Sequence, residues 1–135
     1  MIGQRRPGLS PRQEREAYAA VTVRDGNRCV RCRRFGSVQR DHRQNRDRFN
    51  TVVEGLQLLC LECHKFKTEH PAEAIREGWG MPRNTLLTPA EWPARRYLST
   101  DHGTFGLAWV TYTPDGFWRE ITSEEAERRM TGLVV

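Results

Sequence analysis

All four cysteines of this 135-residue chain fall into two Cys-x-x-Cys pairs, Cys29/Cys32 and Cys60/Cys63. A pair with two intervening residues forms a tight turn that directs both sulfurs to one point, so two pairs together can bind one tetrahedral zinc ion. Such a Cys₄ site has no open position for water. Its zinc is therefore structural, and the free energy of zinc binding contributes directly to folding.

Two disulfides are the competing interpretation of these cysteines, and they would require an oxidising compartment. The N-terminus MIGQRRPGLSPRQ has no apolar run typical of a signal peptide, and no stretch of the chain is apolar enough to cross a membrane. The sequence therefore favours zinc, a cytoplasmic location and no membrane contact.

The spacing between the two cysteine pairs is long for a zinc ribbon. Cys32 and Cys60 are separated by 27 residues, whereas the pairs of a zinc ribbon are separated by about 15–20 residues, which indicates an inserted element.

The positive charge of the chain is concentrated in its first part. The net charge is +5, yet residues 1–50 hold 13 Arg and 5 acidic residues, whereas residues 51–135 hold 9 basic and 12 acidic residues. Arginine binds phosphate bidentately, and neutralising a nucleic acid backbone releases counterions. The sequence therefore predicts DNA as the partner. The candidate DNA-binding residues are Arg28, Arg31, Arg33, Arg34, Arg43 and Lys67.

The predicted elements place the chain in the α+β class. Ser10, Pro11 and Gln13 form a capping box with proline at the first helical position, which predicts a helix over about 11–23. Two short strands and a helix from about Cys63 would enclose the zinc. A β-hairpin and a short helix capped by Thr122 follow. The predicted strands are 37–41, 56–59, 107–112 and 117–121. We expect a flexible basic arm (1–10), a zinc-stapled module (11–78) and a C-terminal extension (79–135).

Three further residues near the cysteine pairs have side chains suited to metal binding or proton transfer: Asp41, His42 and His64. Successive helical residues point about 100° apart, so if Cys63 faces the zinc, His64 faces elsewhere, with Lys67 on its side. Adjacent strand residues point to opposite faces, so Asp41 and His42 can serve one site only at a strand end. One helix can thus serve two sites.

Several motifs in order carry a resemblance to a known family: RDGNRCVRC at residues 24–32, then Asp41-His42, then LQLLCLECHKFKT at residues 56–68. Together they resemble the HNH endonuclease family in its zinc-stapled form, and are similar in particular to small HNH proteins encoded by bacteriophages. The resemblance covers about residues 21–70. It implies a ββα-metal fold and metal-dependent hydrolysis or nicking of DNA phosphodiester bonds.

Roles for three residues follow from the resemblance. It makes His42 the general base that deprotonates the attacking water, and it makes Asp41 and His64 the ligands of a single divalent ion, Mg²⁺ or Mn²⁺, at the scissile phosphate. An imidazole titrates near neutral pH, which suits proton transfer from water. The implied products carry 5′-phosphate and 3′-hydroxyl ends.

One position departs from the family pattern. The middle Asn of the family precedes a Leu-x-x-Leu-Cys run, and Gly55 occupies that place here. Asn45 and Asn50, in the loop before it, are the candidates for supplying the missing hydrogen bonds. A second Asp-His dipeptide, Asp101-His102, precedes Gly103 and is interpreted as a turn.

Two other classes of function remain open beside the endonuclease. A zinc-stapled DNA-binding module would share the cysteines and the arginines but would not require Asp41, His42 and His64. An accessory protein of a phage DNA-processing or packaging machine could use the C-terminal extension as its interface. Further candidate partners are therefore a second copy of the chain and a phage DNA-processing protein, in the host cytoplasm.

Overall fold

The computed structural model describes residues 7–99 and 105–132 of the chain. These residues form a mixed α/β structure with two small antiparallel sheets. The elements in chain order are α1 (Pro11–Arg24), β1 (Val38–His42), a 3₁₀ turn (Val53–Gly55), β2 (Leu56–Cys60), α2 (Leu61–Glu69), α3 (Pro71–Arg76), β3 (Ala94–Ser99), β4 (Phe105–Tyr112), β5 (Trp118–Ile121) and α4 (Ser123–Met130). Most of the predicted arm and the predicted turn at Asp101–Gly103 lie outside the described residues.

Helix α1 begins at the predicted capping box. The Ser10 hydroxyl accepts a hydrogen bond from the Gln13 N–H at 3.1 Å, and the Gln13 side chain accepts one from the Ser10 N–H at 2.8 Å. This reciprocal pair satisfies two of the four amide donors that a helix start leaves open. The helix ends at Arg24, one residue later than predicted, with Asp25 as C-cap and Gly26 at φ 62°.

The two strands between the cysteine pairs form an antiparallel hairpin. Its register runs from Val38 opposite Cys60 to His42 opposite Leu56. Strand β1 therefore lies one residue later than predicted and includes His42. Helix α2 starts at Leu61 rather than near Cys63, because Cys60 is its N-cap and accepts a hydrogen bond from the Cys63 N–H at 3.5 Å.

Strand β2 is buried along its whole length, which fixes the hairpin in the core. On one side, Leu56 and Leu58 pack against Ala17 and Val21 of α1. On the other, Leu59 packs in the cluster that contains the cysteines. A strand covered on both faces loses the polar alternation of a half-exposed strand, which explains why the pattern at 56–59 alternates only weakly.

The C-terminal residues pack directly onto the cysteine-bearing part. The predicted hairpin forms as β4 and β5, and α4 begins at the predicted cap, where the Thr122 hydroxyl accepts from the Glu125 N–H at 3.1 Å. Strand β3, which the sequence did not predict, completes the sheet by pairing with β4. Trp79 is 3% exposed and lies in the cysteine cluster.

A buried ion pair also joins the two parts. The Asp25 carboxylate accepts from Arg24 at 2.9 Å and from Arg96 of β3 at 2.6 Å, and all three side chains are almost entirely removed from solvent. Arg24 also donates to the carbonyls of Val53 and Leu56. These bonds tie the end of α1 to the hairpin and to β3.

None of the helices in residues 7–99 and 105–132 is long and apolar enough to span a bilayer.

Gly78 is expected to tolerate no side chain. Its φ is +93°, and a Cβ there would lie 2.7 Å from the Arg95 Cβ and 2.8 Å from the Trp109 ring. Gly78→Ala should lower the free energy of unfolding by about 2–4 kcal/mol, combining left-handed strain with overpacking. Urea denaturation of the zinc-loaded protein measures this change. Gly116→Ala is the matched control, because Gly116 has φ +91° and a Cβ there would meet no atom of residues 7–99 or 105–132 within 4 Å. This variant should cost only about 1 kcal/mol. Equal losses for the two variants would refute the steric explanation.

Candidate metal centres and basic cleft

The four cysteines form a cluster that can hold a zinc ion. Their Sγ atoms all lie within 4.8 Å of one another, and the Sγ atoms of Cys32 and Cys60 are 3.6 Å apart. Four ligands at the about 2.3 Å of a zinc–sulfur bond in a tetrahedron are separated by about 3.8 Å. In a disulfide, the two sulfur atoms would be only about 2.05 Å apart. The cysteines are free thiols, and their spacing fits a metal rather than two disulfides.

The surroundings of the cluster suit a bound metal. Burial raises the pKa of the Cys63 thiol, so zinc binding must displace a proton from this sulfur at neutral pH. Arg31 donates to the Cys63 Sγ at 3.5 Å while its guanidinium lies 4.0 Å above the Phe66 ring. A positive donor at this distance stabilises the thiolate that zinc needs.

Asp41 is the centre of a second polar cluster at the other end of the hairpin. Its side chain is 3% exposed, and its Oδ1 lies 3.0 Å from the His64 Nδ1. Its Oδ2 accepts from the Lys67 Nζ at 2.8 Å and from the Gln57 Nε2 at 3.0 Å. Helix α2 therefore supplies Cys63 to one cluster and His64 and Lys67 to the other, as its periodicity predicts.

His42 lies beside this carboxylate and is held by the loop. Its Nε2 is 2.8 Å from the hydroxyl of Thr51, which is 1% exposed. The Tyr18 ring contacts the imidazole edge to face, with 6.2 Å between centroids. Burial, and then the positive charge of Arg46, lower the pKa of His42 below its ordinary 6.5. The imidazole is therefore neutral at pH 7 and can accept a proton.

Asp41, His42 and His64 line one cleft of about 450 Å³, which we call the basic cleft. His42 is the last residue of β1, where the pleat ends, so it can share the cleft with Asp41. Among the described residues, a single carboxylate lines this cleft, and five basic residues accompany it. They are Arg40, Arg43, Arg46, Lys67 and Arg83. Arg43 is buried and Lys67 is paired with Asp41. The exposed positive charge of the cleft therefore comes from Arg40, Arg46 and Arg83. A concave surface with this excess of positive charge attracts anions such as phosphates.

The predicted DNA-binding residues lie in different surroundings. Arg28 and Arg34 are exposed, whereas Arg31 is committed to Cys63 and Phe66. Lys67 points into the cluster and also donates to the His42 carbonyl at 2.5 Å. Arg33 is half-buried near Tyr97.

The prediction for Arg43 is corrected by the structure. The residue is 1% exposed, and its guanidinium donates to the carbonyls of Glu54 and Pro89, at 2.6 and 2.8 Å, and of Trp92, at 2.8 Å. Burial lowers its pKa to about 10, which leaves it charged at neutral pH. Arg43 therefore joins the loop to the C-terminal part instead of facing a phosphate.

Steric crowding explains why glycine occupies position 55, where the HNH pattern that the sequence resembles has asparagine. A Cβ at this position would lie 2.6 Å from the Asn50 carbonyl oxygen. Asn50 closes the loop itself: its Nδ2 donates to the Asn45 carbonyl at 2.7 Å, and its Oδ1 accepts from the Asp47 N–H at 2.9 Å. The candidate Asn50 thus ties the loop together, while Asn45 contributes a backbone carbonyl.

Two residues that the sequence analysis did not single out contact the cluster. Gln57 lies directly opposite Asp41 in the hairpin, so the register of the two strands could have identified it. Its amide also donates to the Trp79 carbonyl at 2.6 Å. Thr51 gave no signal, because its contact with His42 depends on the shape of the eight-residue loop between them.

Comparisons of this chain with protein-family models, with curated proteins and with solved structures find no match. Its function therefore has to be inferred from the side chains, the charges and the distances in the two clusters.

Proposed function

We propose that the chain is a metal-dependent DNA endonuclease of the HNH type, with a ββα-metal module stapled by a structural zinc. One observation carries the proposal. Asp41, His42 and His64 converge on a single cleft that is strongly basic. A carboxylate and two imidazoles are the groups that phosphodiester hydrolysis needs for metal binding and proton transfer, and the basic walls suit a DNA backbone.

Asp41 and His64 place a carboxylate oxygen and an imidazole nitrogen side by side. The Asp41 Oδ1 and the His64 Nδ1 lie 3.0 Å apart, the distance of a hydrogen bond, which a divalent ion held by both groups would replace. A carboxylate oxygen is a preferred ligand of Mg²⁺ and Mn²⁺, and a single imidazole suits Mn²⁺ better than Mg²⁺. When bound, such an ion would stabilise negative charge on the phosphate and on the leaving 3′ oxygen.

Other side chains of the cleft would carry out proton transfer and bind the phosphate. His42 takes the proton of the attacking water. Its Nε2 is engaged by Thr51, and within the described residues its Nδ1 has no hydrogen-bond partner, so Nδ1 is the atom that accepts the proton. Arg46 and Lys67 line the cleft and place positive charge near the phosphate. The products would carry 5′-phosphate and 3′-hydroxyl ends.

A zinc-stapled DNA-binding or accessory protein without catalysis is the second candidate, and one contact favours it. The Lys67 ammonium and the Gln57 amide already neutralise and hydrogen-bond the Asp41 carboxylate, at 2.8 and 3.0 Å. A buried carboxylate satisfied in this way is stable with no divalent ion. This candidate predicts DNA binding that no divalent ion converts into cleavage.

Supercoiled plasmid distinguishes the two candidates. Zinc-loaded protein should convert it to nicked circles only with added Mg²⁺ or Mn²⁺, and DNA ligase should reseal the nicks because the ends are 5′-phosphate and 3′-hydroxyl. Asp41→Asn removes the ligand charge at nearly constant shape and should raise the metal concentration needed for half-maximal nicking at least tenfold. Asp115→Asn, in the exposed β4–β5 turn, is the matched control. DNA binding with intact plasmid under every metal condition would favour the second candidate.

The nicking rate should depend on pH through His42. Only the neutral imidazole can accept a proton, so the rate falls as the pH drops through the pKa of His42 in the folded protein. Burial lowers that pKa, so the midpoint of the acid limb should lie below 6.5. Rates from pH 5 to 8 at saturating Mn²⁺ measure it, and equal midpoints at two Mn²⁺ concentrations exclude a loss of metal as the cause. A midpoint above 6.5 would contradict the assignment of the base.

A further inference from the structure

Lys67 is bound to the carboxylate that we propose as a metal ligand. Its Nζ donates to the Asp41 Oδ2 at 2.8 Å and to the His42 carbonyl at 2.5 Å. An ammonium has three N–H donors, so within the described residues one remains for an acceptor that enters the basic cleft. Lys67 lines this cleft with 18% of its side chain exposed. The same ammonium can therefore contact the carboxylate and an anion in the cleft.

The two side chains that donate to the Asp41 Oδ2 differ in charge. Gln57 donates at 3.0 Å, is 0% exposed and also donates to the Trp79 carbonyl, which holds its amide in place. This neutral amide orients the carboxylate with its Oδ1 toward His64. Lys67 supplies the positive charge that balances the carboxylate. The orientation of Asp41 is therefore kept if the ammonium moves away, whereas its charge balance is lost.

Charge balance in this cluster favours one cation at a time. The Lys67 ammonium already neutralises the Asp41 carboxylate, so a divalent ion on the same carboxylate would leave its two positive charges uncompensated. Water and salt screen these charges weakly, because the Asp41 side chain is only 3% exposed, and the ammonium and the ion therefore repel each other. A DNA phosphate carries a negative charge and accepts hydrogen bonds from an ammonium, so its entry into the cleft lowers this repulsion.

We infer that Lys67 couples the binding of the divalent ion to the binding of DNA. In the free protein, its ammonium occupies the Asp41 carboxylate and weakens the binding of the ion. When a phosphate enters the basic cleft, the ammonium turns toward it on a flexible four-carbon stem, and the carboxylate becomes available to the ion. The inference rests on DNA and a divalent ion being the ligands in the proposed function. It adds that each of them tightens the binding of the other through one side chain.

Binding of Mn²⁺ without DNA is the first test. Electron paramagnetic resonance measures free Mn²⁺ during titration of the zinc-loaded His42→Ala protein. Adding Lys67→Met should tighten Mn²⁺ binding by about tenfold or more, because it removes a positive charge beside Asp41 at similar side-chain length. Lys65→Met is the matched control, since it removes the same charge from an exposed residue of α2 that lies 3.9 Å from Glu69. Unchanged or weaker Mn²⁺ binding in the Lys67→Met protein would overturn the inference.

The same titration with a DNA duplex present tests the coupling. The duplex should tighten Mn²⁺ binding about tenfold more in the His42→Ala protein than in the protein that also carries Lys67→Met. Direct contact between the ion and a phosphate is common to the two proteins, so the difference reports the contribution of Lys67. Equal tightening in both proteins would overturn the coupling.

A third readout needs no substitution at Lys67, and so does not depend on the folding of that variant. The chain has only two lysines, Lys65 and Lys67, so labelling lysine with ¹⁵N at Nζ gives two ammonium resonances. A duplex added to the His42→Ala protein without divalent ion should shift the Lys67 resonance more than that of Lys65. A Lys67 resonance that stays unchanged when the protein is saturated with duplex would overturn the inference.

These readouts measure binding alone, so they separate the inference from the endonuclease. Coupled binding by a protein that never nicks DNA would refute the endonuclease and leave the inference standing. Nicking by a protein whose Mn²⁺ affinity is the same with lysine or methionine at position 67 would refute the inference and leave the endonuclease standing. A protein that binds neither Mn²⁺ nor the duplex would refute both.

Discussion

Replacing Cys60 with serine is expected to unfold the hairpin and helix α2 at 25 °C. Cys60 is 0% exposed, belongs to the four-cysteine cluster and is the N-cap of α2. A structural zinc contributes roughly 10–16 kcal/mol, which is as large as the whole net stability of a small domain, about 5–15 kcal/mol. A serine hydroxyl is a poor zinc ligand at neutral pH, so most of that contribution is lost.

Far-UV circular dichroism and a colorimetric assay of bound zinc measure the effect. The variant should show reduced helical signal and less than one zinc per chain. Wild-type protein treated with a strong chelator should lose the same signal and regain it when zinc is returned, which is the control for damage by the substitution itself. A chelated wild-type protein that keeps its spectrum and its thermal midpoint would contradict a structural role for zinc.

Replacing His42 with alanine is expected to lower the single-turnover rate of plasmid nicking by about 10²–10⁴-fold, the contribution of a general base. Binding of DNA should remain, because the basic residues of the cleft are unchanged. His42 is half-buried, and among the described residues its side chain hydrogen-bonds only Thr51 and contacts the Tyr18 ring, so the loss of stability should be small. A rate effect without a binding effect separates catalysis from recognition.

His70→Ala provides the matched control for that variant. His70 is exposed at the junction of α2 and α3 and is absent from the lining of the basic cleft. Its replacement should leave the nicking rate unchanged within about twofold, and its thermal midpoint reports the cost of removing an imidazole elsewhere. A His42→Ala protein that nicks as fast as the His70→Ala protein would show that another group is the base.

Local signals in the sequence predicted the elements around the cysteines. The capping box at Ser10 and the N-cap at Thr122 act within one turn of chain, so they can be identified without knowledge of the fold. The two Cys pairs likewise fix a local geometry that brings four sulfurs together. Helical periodicity was enough to assign Cys63 and His64 to different sites.

The features that the sequence did not reveal depend on contacts between distant residues. Strand β3 has adjacent arginines, Arg95 and Arg96, which break the expected alternation. Arg96 is buried where Asp25, 71 residues away, accepts its hydrogen bond. Arg43 looked like a phosphate ligand because of its charge and neighbours. Its burial depends on backbone carbonyls supplied from the loop before β3, at residues 89–93. No local pattern carries such information.

Conversion of supercoiled plasmid tests most directly whether the basic cleft is a metal-dependent nuclease site. The zinc-loaded wild-type protein and the His42→Ala protein are each incubated with Mg²⁺, with Mn²⁺ and with no added divalent ion. Omitting the divalent ion, rather than adding a chelator, leaves the structural zinc in place. We expect nicked circles from the wild-type protein only when a divalent ion is added, and a rate at least a hundredfold lower from the variant. Intact plasmid in every lane, or equal conversion by both proteins, would contradict the assignment of the basic cleft as a metal-dependent nuclease site with His42 as its base.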